Sequence, residues 1–389
     1  MDREERLAAL RLHLVTGIGP RLFAALVEHF GSACAAAEAS AGALAAVRGI
    51  GPDSAARMRE GIAAADPEAE FLKAQDAGVR ILVRGEPDYP IALTYLADAP
   101  PVLYVKGTLV PEDAQAMAVV GMRKCSLYGQ DQAERLAGGL ARCGFTIVSG
   151  LARGIDSAAH RGAMAAGGRT IAVLGNGLST VYPPENRKLA EAVAERGALV
   201  TEFPMDFGVA AENFPRRNRV IAALAMGVIV VEAGRQSGAL ITARLAAELG
   251  KEVFAVPNRV DAPGAAGAHA LIRDGAKLVE SVADVLEEFP DLGIQAPAAA
   301  DAAGAGPAPA PGDPTTATAR QGTLSLRASL SPEESRIMEV MDGDPLALDA
   351  LIQRTGLAPA RVSGALTLLE LKGLVRALPG GQFALRKAT

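Results

Sequence analysis

Between Val102 and Pro257 the chain alternates short runs that are apolar almost throughout with longer stretches whose apolar residues recur at helical spacing. The runs are VLYV, AMAVVG, FTIVSG, TIAVLG, ALVTE, GVIVVEA and EVFAVP. A strand without a polar side reads as buried on both faces, and the helical stretches between most of these runs supply the covering layers. The pattern predicts an α/β fold with a parallel, doubly wound sheet. Ligands of such sheets bind beyond the C-terminal ends of the strands.

The flanks follow other rules. Two similar phrases, VTGIGPRLFAAL (Val15 to Leu26) and VRGIGPDSAARM (Val47 to Met58), each set an apolar-Gly-apolar-Gly turn before a helix. They suit a helix-hairpin-helix (SAM-like) repeat, whose turns can present N–H groups to a DNA phosphate, or more plainly a small helical bundle with tight turns. Residues 294–326 are mostly Ala, Pro and Gly and read as a linker. Beyond them, Ser331-Pro332-Glu333-Glu334 fits a capping box with Pro at the first helical position. Two further helices, about 346–355 and 359–372, and the hairpin LVRALPGGQFAL complete a winged-helix pattern. The expected division is a helical domain at 1–65, the sheet domain at 66–290, a linker at 291–327 and a winged helix at 328–389.

Composition narrows the classes of function. At 389 residues with half of them hydrophobic, the chain can bury several cores. Its longest apolar run, Val220 to Val231, is well short of the roughly 18 residues of a membrane span, so a cytoplasmic protein without membrane association is expected. Three cysteines without CxxC spacing and four scattered histidines signal neither a disulfide framework nor a metal site. A net charge of −5 argues against a general polyanion binder, so any nucleic-acid site must be local. The winged-helix region is charge-balanced, which suits an accessory module better than a strong DNA reader.

The stretch VSGLARGIDSAAH (Val148 to His160) runs from a strand through a Gly-containing turn into a helix starting near Ile155, a layout that places N–H groups at a positive helix end. It lacks the GxGxxG pattern and the ribose-binding acid of a dinucleotide site, and the chain has no Walker A loop. No cofactor is called for. Asp156 and His160 lie on one helix face near Ser149 and Ser157, but no nucleophile elbow accompanies them. Asp156 reads as a loop-fixing carboxylate and His160 as a surface or core residue. What remains is a rim of polar loops. They are Gly121-Met122-Arg123-Lys124, Ser149-Gly150 with Arg153, Asn176-Gly177 with Pro184-Glu185-Asn186, the basic NFPRRNR from Asn213 to Arg219, and Arg235-Gln236-Ser237-Gly238 leading to Thr242. Glycines, hydroxyls, amides and arginines on one rim suit repeated phosphates, and Phe214 adds a face for a base to stack on.

The series VGMRKCSLYG, VSGLARGIDSAAH, TIAVLGNGLSTVYPPEN, TEFP, NFPRRNRVIAAL, VIVVEAGRQSGALITARLAAELG and VFAVPN, in this order, resembles the DNA-processing protein DprA (Smf) family over nearly the whole chain. The resemblance implies an extended Rossmann-like domain that binds single-stranded DNA, forms a homodimer and hands the strand to RecA recombinase during natural transformation, without turnover. It marks Arg123, Ser149, Gly150, Arg153, Asn213, Phe214, Arg216, Asn218, Arg219, Ser237 and Gly238 as the DNA-facing set, with Gly154, Asn186 and Thr242 beside them. Departures are Met122 for a small polar residue, Asn258 for a Gly, and His269-Ala270 where an Asn is usual.

Two rival readings lead to different experiments. Enzymes that hydrolyse nucleoside monophosphates share Rossmann-like Gly-rich loops, but they resemble a PGGxGT pattern where this chain has EAGRQSGALITA. They would release free base. A transcriptional regulator would bind duplex DNA through the winged helix alone.

Overall fold

The computed structural model describes residues 1–293, 330–341, 345–372, 374–378 and 382–385. The expected linker lies outside them. By contacts the chain divides into two units, Met1–Pro297 and Ala298–Thr389.

The first unit is built on a nine-stranded sheet. Its strands are β1 (Val79–Val83), β2 (Val102–Gly107), β3 (Ala116–Val120), β4 (Thr146–Ser149), β5 (Thr170–Val173), β6 (Ala198–Thr201), β7 (Gly227–Val230), β8 (Glu252–Ala255) and β9 (Lys277–Leu278), in the order β1-β2-β6-β5-β4-β3-β7-β8-β9. From β3 the chain winds outward through β4 and β5 to β6, then returns to place β7 on the other side of β3. The topological switch point therefore lies between β3 and β7, where a doubly wound sheet opens a crevice at its carboxyl edge.

From β3 to β9 all neighbours pair parallel, with β6 against β5 included. The VLYV strand departs from the all-parallel expectation, because β2 pairs antiparallel with both β1 and β6. A parallel pair needs a crossover element between its strands, and no such constraint holds β2, whose run reaches β6 from the opposite end. Gly107 closes that pairing at φ +96°, where a Cβ would stand 2.4 Å from two backbone carbonyl oxygens.

Alternation along the strands sorts the core into two layers. Ala116, Ala118 and Val120 of β3 pack with Val228 and Val230 of β7 against the helices Asn213–Leu224 and Gly238–Glu248. Met117, Val119 and Ile229 face the other way, onto the helices Leu127–Arg142 and Ile155–Ala165. Full burial of each such side chain contributes about 1.5–3 kcal/mol, so this double-sided sheet is where most of the stability resides.

Five helices between Arg3 and Ala64 precede the sheet. In the two Gly-rich phrases Gly17 and Gly49 take φ +95° and +92°, and each turn delivers a Pro, Pro20 or Pro52, to the first position of the next helix. The repeat seen in sequence is thus a repeat in conformation. These helices share one apolar core with β1 and β2, to which Leu10, Leu12, Leu26, Ile62, Ile81 and Tyr104 all belong.

The second unit has the winged-helix elements expected: helices Pro332–Val340, Leu348–Thr355 and Pro359–Leu371, and strands Leu346–Ala347, Val375–Leu378 and Gln382–Leu385 in one small sheet. Ser331 and Glu334 form the capping box, and Glu334 also takes both of its oxygens to Lys372 at 2.7 and 2.8 Å.

Candidate nucleic-acid interface

The turn after β4 is closed by its own carboxylate. Asp156, in the first turn of α1 (Ile155–Ala165), accepts the N–H groups of Gly150 at 3.1 Å and Ala152 at 3.3 Å. Two of the N–H groups that the sequence leaves bare for an anion are therefore already used. Burial raises the Asp156 carboxyl above the ordinary aspartate value, against the pull of Arg217 and these N–H groups. Ser149 is fully buried and donates its hydroxyl to the Val119 carbonyl at 2.7 Å, so it braces β3 against β4 and lies beneath the surface expected of it. Gly154, at φ +73°, passes so close to the next loop that a Cβ would lie 2.4 Å from the Met122 carbonyl oxygen. Leu151 is the single non-glycine residue with positive φ among the described residues, at 56°. His160 is a core residue: its Nδ1 lies 2.7 Å from the Thr170 hydroxyl, and burial lowers its pKa to about 3.

NFPRRNR forms no loop. It opens the helix α2 (Asn213–Leu224), and helical spacing sends its three arginines in different directions. Arg216 stays half exposed, its guanidinium 5.0 Å above the Phe203 ring and 3.9 Å from Glu202. Arg217 turns inward and donates to the carbonyls of Gly150 at 2.6 Å and Val173 at 2.5 Å, with its Nε on Asn218 at 3.1 Å. Burial brings its pKa down to about 10, opposed by Asp156. Arg219 is buried between Glu202 at 2.5 Å and Asp98 at 3.3 Å, which corrects its assignment to the DNA-facing surface. Desolvation raises the Glu202 carboxyl even so.

Three further members of the expected set are also structural. Asn213 is buried and donates to the Gly208 carbonyl at 3.1 Å. Asn218 is buried and ties α2 to the Gly238 carbonyl at 3.3 Å, while Thr242 is buried in the helix α3 (Gly238–Glu248). Ser237 caps α3, accepting the Ala239 N–H at 3.3 Å, and Gly238 beside it is exposed.

The side chains that do converge line one pocket at the β3–β4 edge: Arg123, Gly150, Arg153, Tyr182, Phe214 and Arg217. Arg123 lies 4.7 Å over the Phe214 ring and Arg217 5.8 Å from it, while Tyr182 tilts toward that ring at 6.0 Å. Stacked guanidinium and aromatic groups hold each other in place at little entropic cost. Exposed Arg153 is paired with Glu185, and that contact raises the arginine pKa and lowers the glutamate's. Asn186 points away from the pocket, donating to the Leu151 carbonyl at 2.8 Å and the Ser157 hydroxyl at 2.9 Å. A Cβ at Gly150 would fall 2.4 Å from the Arg217 guanidinium, so any larger residue there would push that group aside.

Arg217 and Tyr182 were missing from the sequence-derived set. Arg217 lies inside NFPRRNR, and its spacing of four positions from the buried Asn213 on one helix sets it facing inward. The departures at the late loop fit one another: Asn258 donates to Glu232 at 3.0 Å, and its carbonyl lies 3.0 Å from His269 Nε2. At Met122 the backbone serves, its N–H donating to the Glu232 carbonyl at 2.9 Å.

Comparison with known proteins places this geometry. Residues 80–290 match the family model for DNA recombination-mediator protein A, residues 306–381 the DprA winged helix domain, and residues 10–69 a SAM-like helix-hairpin-helix tandem. The chain is similar to Protein Smf of Synechocystis sp., 35% identical over 99% of this chain and 100% of that one. It is 44% identical to DNA processing protein DprA of Streptococcus pneumoniae over 52% of this chain and 71% of that one. The X-ray structure of the pneumococcal protein superposes with a TM-score of 0.65 at 35% identity, covering 74% of this chain and 98% of that one. A structure of DNA processing protein A from Helicobacter pylori, described for its single-stranded DNA binding mode, superposes with a TM-score of 0.50 at 29% identity, covering 55% of this chain and 96% of that one.

Proposed function

The chain belongs to the DprA (Smf) family of DNA-processing proteins, and on that premise we propose that it binds single-stranded DNA at the pocket beyond the carboxyl ends of β3 and β4, without turnover. The observation that carries this reading is the convergence of Arg123, Arg153 and Arg217 with the rings of Phe214 and Tyr182 at the carboxyl edge of the parallel strands. Guanidinium groups hold phosphates and aromatic faces hold bases of any identity, so the site binds strands without reading sequence. The Helicobacter pylori relative, described for single-stranded DNA binding, points to the same ligand.

Within the reading, Arg123, Arg153 and Arg216 touch phosphates, Phe214 and Tyr182 meet a base, and the Gly150 and Gly238 backbones allow close approach. Asn186, Gly154, Ser149, Asn213, Asn218, Thr242, Ser237 and Arg219 act by holding the loops in register. Transfer of the bound strand to RecA recombinase, homodimer formation and a cytoplasmic location complete the proposal, all from family resemblance. No helix among the described residues is long and apolar enough to cross a membrane.

Fluorescence anisotropy of labelled oligonucleotides tests it. Tight binding of a single strand, at least ten-fold weaker binding of the corresponding duplex, and loss of affinity in Arg123→Ala with an unchanged melting temperature are expected. Equal affinity for duplex and single strand, or release of free base from nucleoside monophosphates, would overturn the reading.

A further inference from the structure

Phe207 is 40% exposed although its ring stacks on the buried ring of Phe203, with centroids 4.9 Å apart and planes within 20°. The same Phe203 ring carries the Arg216 guanidinium at 5.0 Å. One phenylalanine thus lies buried beneath two groups, a cation and an aromatic ring, that both reach the surface. The loop bearing Phe207 is fastened at several points. Asp206 pairs with Lys73 at 2.5 Å and accepts the Ser179 hydroxyl at 2.6 Å, and the Phe207 carbonyl accepts the Gly177 N–H at 2.9 Å. The stack on Phe203 and these fastenings set the ring at the surface in one position, on the same buried phenylalanine that carries the Arg216 guanidinium.

We propose that Phe207 is a second stacking platform for single-stranded DNA, taking a base next to the phosphate that Arg216 holds. The inference rests on the proposed single-strand binding and extends its path. From the pocket at Phe214, α2 carries the rim to Arg216, and the Phe203 stack carries it on to Phe207. The ring gives one face to Phe203 and offers the other to a base. A fixed aromatic next to an arginine binds any base without paying for ordering on contact, which is how sequence-tolerant strand binding is built. Lys73 anchors this loop to the helix Pro67–Asp76.

The chain contains no tryptophan, so Phe207→Trp supplies a single reporter at the site. Saturating oligothymidylate is expected to quench its emission, and Phe207→Ala to bind the same strand on the order of five-fold or more weakly, with an unchanged salt dependence. Phe207→Leu, which keeps an apolar contact with Phe203, is expected to match Phe207→Ala in binding and the parent in melting temperature. An oligonucleotide too short to leave the pocket should not distinguish Phe207→Ala from the parent. Unchanged emission of the tryptophan variant at saturation, or full affinity of Phe207→Ala for long strands while Arg216→Ala loses it, overturns the platform and leaves the pocket standing. So does a change in oligomeric mass of Phe207→Ala with DNA affinity intact, which would make the ring a protein contact. If Arg123→Ala and Arg216→Ala also bind like the parent, the single-strand site itself falls.

Discussion

Arg219 and Glu202 meet at 2.5 Å with their side chains 8% and 3% exposed, while Arg216, on the same helix, stands half in solvent 3.9 Å from the same carboxylate. Two arginines that look equivalent in NFPRRNR thus do different work. Breaking a buried ion pair leaves an uncompensated charge and costs about 3–5 kcal/mol, whereas an exposed pair is worth at most about 1 kcal/mol. Arg219→Ala should therefore lower the urea midpoint sharply. Arg216→Ala should leave it within error and lose DNA affinity. A double variant is uninformative, because unfolding would hide the binding defect.

Glu185 covers one of the pocket's cations. The Arg153–Glu185 pair is about half exposed on both sides, so removing the carboxylate is cheap for the fold. A DNA phosphate must displace that carboxylate to reach Arg153. Glu185→Gln should strengthen single-strand binding modestly, by up to about five-fold, as expected for a solvent-screened pair. In an Arg153→Ala background the same change should have no effect. Anisotropy titrations of the four proteins form a double-mutant cycle, and additive effects would show that the pair does not compete with DNA.

Arg217 and Asp156 predict a pH signature. Asp156 has a folded-state pKa raised by burial and restrained by Arg217. Arg217→Ala removes the restraint, so the buried carboxylate is left without its countercharge at neutral pH and the loss should be about 3–5 kcal/mol. A carboxyl whose folded pKa lies above its unfolded value binds more protons when folded, so its penalty shrinks as pH falls through the folded pKa. Denaturation of Arg217→Ala at neutral pH and near about pH 5 should show the deficit narrowing in acid. Gly150→Ala, which pushes the same guanidinium aside by steric contact at 2.4 Å, should be destabilised with a weaker pH dependence because the charge stays. A pH-independent deficit in Arg217→Ala would show that carbonyl bonding, not Asp156, is what the arginine serves.

Legibility in the sequence followed the range of the forces involved. Strands buried on both faces announced themselves as apolar runs, and the Ser331 cap and the paired Gly turns at Gly17 and Gly49 were readable because they are local chemistry. The antiparallel setting of β2 was not, since strand direction depends on which distant strand it meets. Of the residues lining the pocket, Arg123 and Arg153 were legible as arginines on loops after strands, and Phe214 as the aromatic of a basic stretch, which turns out to open a helix. Ser149, Asn213, Asn218, Arg219 and Thr242 were not. All five are buried, and for Ser149, Asn218 and Arg219 the partners lie 17 or more residues away in sequence, Glu202 and Asp98 for Arg219 above all. A basic cluster in sequence becomes a basic patch in space only if the backbone is extended or looped. On a helix it is divided between surface and core.

Salt dependence separates charge from stacking. Each phosphate neutralised on a single strand contributes a slope of about −0.7 to log K against log salt. Arg123→Ala and Arg216→Ala should each flatten the slope by about that amount, because both guanidinium groups are exposed and the carboxylate 3.9 Å from Arg216, Glu202, is already held at 2.5 Å by Arg219. Phe214→Ala should weaken binding by about 1–3 kcal/mol at every salt concentration and leave the slope nearly unchanged, since stacking releases no counterions. The structure adds a sharper comparison, for Arg123 rests on the Phe214 ring at 4.7 Å. If the ring served only as a seat for that guanidinium, Phe214→Ala would flatten the slope as Arg123→Ala does, and the double variant would be no worse than either. Titrations across about 50 to 300 mM salt with all three variants distinguish the cases, and a slope preserved in Phe214→Ala identifies the ring as a surface for bases.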